Sequence, residues 1–93
     1  MSQPPEMKPW FWLRGDAGVG NALAGARRAA GLTQAELASQ LGVDRTTIVT
    51  MESGRNAAVS RLLRAFNRMG YDLIAVPRTA RVSVDLHPGE AGA

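Results

Sequence analysis

Apolar positions recur at helical spacing through most of residues 17–69, and the polar residues between them mark where each helix starts and stops. The clearest stretch is Thr33–Ser53, TQAELASQLGVDRTTIVTMES. Thr33 followed three residues later by Glu36 forms a capping box, in which each side chain accepts from a backbone N–H that the helix start leaves open. Leu37, Ala38 and Leu41 then share one face. Gly42 stops the helix where a positive φ costs least. Val43 plugs the corner, and Asp44 caps a second helix. Ile48 and Met51 make the inner face of that helix, Ala38 is small where two helices must approach, and Gly54 ends the second one. The pattern predicts two short helices joined by a tight turn.

The flanks carry a longer helix on either side. Asp16 is a candidate N-cap for a helix over 17–30, with Val19, Leu23, Ala26 and Ala30 as its apolar stripe. Arg27 and Arg28 lie near its C-terminus, where cations suit the helix dipole. Arg27 has a second option, an ion pair with Glu52 inside the domain, because a small domain does not readily leave a buried acid unpaired. Downstream, a helix starting at Ala58 or Ser60 and ending at Met69 presents Val59, Leu62, Leu63, Phe66 and Met69 on one side. Arg61, Arg64 and Arg68 lie opposite, as a solvated face. Gly70 ends it.

Residues 71–77, YDLIAVP, favour β structure and close on a proline. A lone strand leaves backbone donors and acceptors unpaired, so it needs a partner. One candidate is 81–86, RVSVDL, which alternates with period two and could join through a hairpin over 77–80. The other is the same strand in a second copy, with Tyr71, Leu73, Ile74, Ala75 and Val76 as the dimerisation residues. At the other end, residues 1–9 hold three prolines and are expected to be extended or disordered. Trp10-Phe11-Trp12-Leu13 is expected to fold back onto the core or against a dimer mate, in preference to docking another protein. The expected layout is a flexible arm over 1–15, a helical domain over 16–70, a dimerisation segment over 71–86 and a disordered tail over 87–93 that leaves His87 at the surface.

Composition narrows the function classes. Ninety-three residues make one small domain. Lys+Arg outnumber Asp+Glu by 11 to 8, a net charge of +3, and all but one of the cations is arginine. The excess is mild, but arginine is the better fork for phosphate and for guanine edges. The absence of cysteine excludes a disulfide framework, a cysteine zinc site and a thiol nucleophile. Apolar runs fall short of a membrane span and the N-terminus lacks a signal-peptide layout, so a cytoplasmic protein is expected. Gly15-x-x-Gly18-x-Gly20 has the wrong spacing for a dinucleotide loop and no βαβ unit follows it. The Arg14-Gly15-Asp16 tripeptide is read as chance. No nucleophile–base pair, carboxylate pair or metal cluster is present in the pattern, so neither an enzyme nor a cofactor is expected.

The lead-in Gly31-Leu32-Thr33-Gln34, the interior and turn positions Ala38, Gly42, Val43, Ile48 and Met51, and the exit Glu52-x-Gly54 resemble the Cro/repressor-type (XRE) helix-turn-helix domain. The resemblance implies a mainly α, lambda-repressor-like bundle of four helices, with the C-terminal strand paired across a dimer. In such domains the second helix of the motif enters the major groove. That puts Asp44, Arg45, Thr46, Val49 and Thr50 on the outward face. Arg45 can fork to guanine O6 and N7, Thr46 and Thr50 can bond base edges or phosphates, and Val49 can rest on a thymine methyl. Asp44 could accept from cytosine N4, although capping is its simpler role. Thr33 and Gln34 open the first helix of the motif, where backbone N–H groups suit a phosphate. The family likeness further implies that Gln34 braces the recognition helix. Arg28 and Arg55 are candidates for phosphate contact. Two copies would read a palindromic double-stranded operator, with recognition helices one helical turn apart.

A strand that follows the last helix makes residues 17–77 most similar to the HipB-type antitoxins. That likeness implies repression of the protein's own operon and a HipA-like kinase toxin as partner. A stand-alone XRE regulator would share the same features. A protein-interaction module built on Trp10–Leu13 and the arginine stripe is the third reading.

Overall fold

The computed structural model describes residues 9–86. The expectations for residues 1–8, for His87 and for the tail that follows lie outside the described residues. The chain runs β1 (Phe11–Trp12), α1 (Gly15–Ala29), α2 (Gln34–Leu41), α3 (Arg45–Glu52), α4 (Ala57–Arg68) and β2 (Ile74–Ala75). The protein is mainly α, with one two-stranded antiparallel sheet.

The helix ends follow local chemistry. At α2 the capping box is complete: Thr33 Oγ1 accepts from the Glu36 N–H at 3.0 Å, and Glu36 Oε1 accepts from the Thr33 N–H at 2.8 Å. The backbone bond from Thr33 pulls the Glu36 carboxyl below its ordinary value. Gly42 closes α2 in the left-handed region at φ 69°, and the Val43 N–H donates to Ala38 O at 3.0 Å. At α4 the cap is Asn56, whose Oδ1 accepts from the Val59 N–H at 3.1 Å. The expected start at Ala58 or Ser60 is therefore corrected to Ala57. Asp44 does occupy the N-cap position of α3, but its side chain makes no cap bond. The Thr47 N–H instead donates to the Asp44 carbonyl. Asp16 is corrected as well. It lies in the first turn of α1 and Arg14 holds the cap position, because the helix starts at Gly15, two residues earlier than expected.

Four helices share a small core. α1 and α2 both pack on α3, and α4 packs on α1. Ile48 of α3 has 0% exposure, and the other buried apolar residues are Ala22 and Ala24 of α1, Ala38 of α2 and Leu63 of α4. The contact between α1 and α3 is backbone to backbone. A Cβ on Gly20 would overlap the Glu52 carbonyl and lie 2.7 Å from its carbon. A Cβ on Gly54 would collide with the Asp16 carbonyl in the same way.

The buried stripe of α1 consequently differs from the one expected. Gly20, Ala22 and Ala24 are buried, Val19 and Leu23 are half-buried, and Ala26 and Ala30 are exposed. The cause is that α1 is covered on two sides, by α3 at Gly20 and by Phe11 at Gly25. Small residues, and not the largest apolar ones, permit both approaches. Leu41, Leu62 and Met69, placed inside by periodicity, and Val43, expected to plug the corner, are all exposed.

The strand after α4 does not form the expected hairpin with 81–86; within the chain its partner is the N-terminal segment. β2 is two residues long and pairs with the N-terminal segment, Phe11 opposite Ala75 and Trp12 opposite Ile74. The Leu13 N–H extends the pairing to Leu73 O at 2.9 Å. Residues 81–86 form no strand. Tyr71, Leu73 and Val76 lie outside β2, and Tyr71 packs edge-on against Phe66 with ring centres 6.3 Å apart. Apolar side chains explain the choice. Phe11 lies against the open Cα of Gly25, which seats the N-terminal segment on α1 beside β2. Phe11 and Leu13 of the Trp10–Leu13 segment thus fold back onto the core, whereas Trp10 and Trp12 stay exposed.

Candidate nucleic-acid interface

α3 is held from behind and open in front. Ile48 anchors its inner side, and Asp44, Arg45 and Thr46 at its N-terminal end are exposed. Val49 and Thr50, one turn on, are half-buried. The eight residues of α3 therefore offer one exposed polar end on an immobile base. Arg28 and Thr33 are exposed as well, half-buried Gln34 bonds Arg45, and exposed Arg55 lies beyond the C-terminal end of α3.

A continuous polar chain runs from the interior to this surface. Arg27 Nη1 donates to Leu32 O at 2.8 Å, tying α1 to the turn before α2. Its Nε and Nη2 donate to the two carboxylate oxygens of Glu52 at 2.5 and 3.1 Å. Glu52 Oε1 also accepts from Gln34 Nε2 at 3.1 Å. Gln34 Oε1 in turn accepts from Arg45 Nη2 at 3.0 Å. Gln34 is thus fixed as a two-way link, its amide nitrogen toward the carboxylate and its oxygen toward the guanidinium. Arg45 is oriented by one bond and keeps its remaining N–H groups for another acceptor.

The electrostatics follow the same chain. Glu52 is held below the ordinary carboxylate value, first by the hydrogen bond from Arg27, against desolvation, and then by Gln34 and the charges of Arg27 and Arg28. Arg27 is raised above the ordinary arginine value by its bond to Glu52. The side chains of this pair are only 10% and 8% exposed, so solvent screens it little.

The other expected residues are placed less directly. Thr33 Oγ1 is committed as an acceptor within the capping box, which leaves its hydroxyl proton as donor. Arg55 Nε donates to Ser53 Oγ at 2.8 Å, and that hydroxyl donates to Thr50 O at 2.7 Å, so Arg55 is steered along the exit of α3. Arg28 is close enough to influence Glu52. The role of Glu52 as the node that positions Gln34 was missed. The sequence pairs Glu52 with Arg27, but no local signal joins it to Gln34, eighteen positions away.

A family model described as a helix-turn-helix domain matches residues 19–73. No curated protein and no solved structure matches the chain.

Proposed function

The chain belongs to the helix-turn-helix domain family, a DNA-binding and typically non-enzymatic family, and from that premise we propose that it is a sequence-specific transcriptional repressor that reads a palindromic duplex operator as a homodimer. The supporting observation is the exposed N-terminal end of α3, where Arg45 stands oriented by Gln34 while Ile48 pins the opposite side. In this reading Arg45 forks to a guanine, Thr46 and Thr50 meet base edges or phosphates, and Val49 meets a thymine methyl. Asp44 accepts from a cytosine amine. Thr33, Gln34, Arg28 and Arg55 contact the backbone and fix the register. Such a protein acts in the cytoplasm, at the nucleoid. No helix among the described residues is long and apolar enough to cross a membrane. A HipA-like kinase toxin rests on the resemblance alone and forms no part of this reading.

Duplex selection from a random-sequence pool, followed by fluorescence anisotropy over a salt series, tests it. Affinity for the selected duplex should fall steeply with salt as phosphate counterions are released. Arg45→Ala should lose about 1–3 kcal/mol and relax preference at one base position. Gln34→Ala should weaken all sequences more evenly. Absence of duplex affinity at low salt, or an unchanged Arg45→Ala, would refute the reading.

A further inference from the structure

The β1–β2 sheet has an inner face and an outer face. Phe11, Leu13, Leu73 and Ala75 are half-buried on the inner one. The outer one carries Trp10, Trp12, Ile74 and Val76, each between 38% and 53% exposed. The register sets Trp12 beside Ile74, and the next pair along sets Trp10 beside Val76. The two indoles meet edge to face with centres 5.5 Å apart, and the Arg14 guanidinium lies 4.0 Å from the centre of the Trp12 ring. Arg14 also pairs with Asp72 at 3.4 Å. Alongside runs the 81–86 segment, unpaired, with Val82, Val84 and Leu86 between 54% and 77% exposed. An open apolar groove of about 290 Å³ separates this segment from the sheet face.

We propose that this outer face, together with the 81–86 segment, is the surface on which a second copy of the chain docks. The proposal deepens the dimeric reading above by naming its surface, and it rests on that reading for the role of the second copy at DNA. Three observations select a second copy as the occupant. The first is area: the four face residues and three tail residues expose on the order of 700 Å² of mostly apolar surface, close to the ~800 Å² per partner of a standard stable interface. The second is self-complementarity. The face is flanked by Arg14 and Asp72, which pair with each other at 3.4 Å and stay more than half exposed, so a two-fold axis can exchange each onto its opposite in the other copy. A neutral apolar face of this kind does not suit a phosphate backbone. The third is an open β edge: among the described residues β2 pairs only with β1, and the period-two 81–86 segment has the form of a strand that could add to it.

The position also leaves the reading end free. The sheet rests on α1 at Gly25, whereas α3 rests on it at Gly20, so the two surfaces occupy different sides of α1.

The chain has two tryptophans, and both lie on this face, so intrinsic fluorescence reports its burial directly. Sedimentation velocity and tryptophan emission of the full chain should be followed from low micromolar upward, for wild type, Trp12→Glu and Val84→Glu. Wild type should be a dimer whose emission shifts to the red as it dissociates on dilution. Both substitutions should raise the dimer dissociation constant by on the order of tenfold or more. Val84 lies outside every helix and strand, so its variant should keep the wild-type circular dichroism and decides the matter if Trp12→Glu misfolds. A wild type that stays monomeric, a dimer whose tryptophan emission ignores dilution, or a Val84→Glu dimer as tight as wild type would overturn the proposal. Duplex affinity measured on the same samples separates the two readings. A dimer with no affinity for DNA removes the repressor function and keeps the interface, and a DNA-binding monomer does the reverse.

Discussion

Removing the charge of Glu52 is the sharpest test of how this domain holds together. Glu52→Gln keeps the shape and can still accept one hydrogen bond, but it leaves the Arg27 guanidinium without its counter-ion. Breaking a buried ion pair from one side costs about 3–5 kcal/mol. Here the pair is 10% and 8% exposed, so little of that is lost to screening. The amide's remaining bond and the Arg27 bond to Leu32 O lower the cost to about 2–3 kcal/mol. For a domain of this size that is a fall in Tm of about 10–20 °C. Thermal melts followed by circular dichroism at neutral pH measure it. The pH dependence has a fixed sign. Glu52 titrates below the ordinary carboxylate value when folded. Its contribution is therefore complete above the unfolded value of about 4.3 and is lost as pH falls through the folded value. The gap between wild type and Glu52→Gln should accordingly be full at neutral pH and close in acid. Replacing both partners by methionine should recover much of the stability, because no charge is then stranded. A Glu52→Gln melt within about 2 °C of wild type at neutral pH, or a gap that persists unchanged into acid, would refute this account.

Two further outcomes follow from the geometry. Gly20→Ala drives a methyl group into the Glu52 carbonyl, so it should separate α1 from α3 and cost at least about 1–3 kcal/mol in a denaturant melt, although Ala is the better helix former. Asn56→Ala should cost about 1 kcal/mol through loss of the bond to Val59, whereas Asp44→Ala, with no cap bond to lose, should change stability by less than about 0.5 kcal/mol.

The likeness between α3 and a reading helix does not depend on the dimer, and the two can fail separately. Arg45 and Gln34 belong to one polar chain with Glu52 and Arg27. If Arg45 and Gln34 contact DNA as proposed, stability and DNA affinity are coupled through the same residues, and a substitution at Glu52 is expected to disturb both.

The sequence by itself determined much of what depends on neighbours within a turn or two, the caps expected of Asp16 and Asp44 being exceptions. Thr33 with Glu36, the left-handed Gly42 and the Arg27–Glu52 pair were all legible, the first two because a cap or a turn is completed by residues a few positions apart. The last was legible because a buried acid in a small arginine-rich domain has few partners. Tertiary structure alone decided three things: which strand β2 pairs with, which side of α1 is buried, and where the Gln34 amide points. Each depends on a contact between positions distant in the chain. Period-two and helical patterns say that a face is apolar, but they do not say what will cover it. Phe11 on Gly25 fits a ring against backbone and Gly20 on Glu52 fits backbone against backbone, and such fits leave no periodic trace in the sequence.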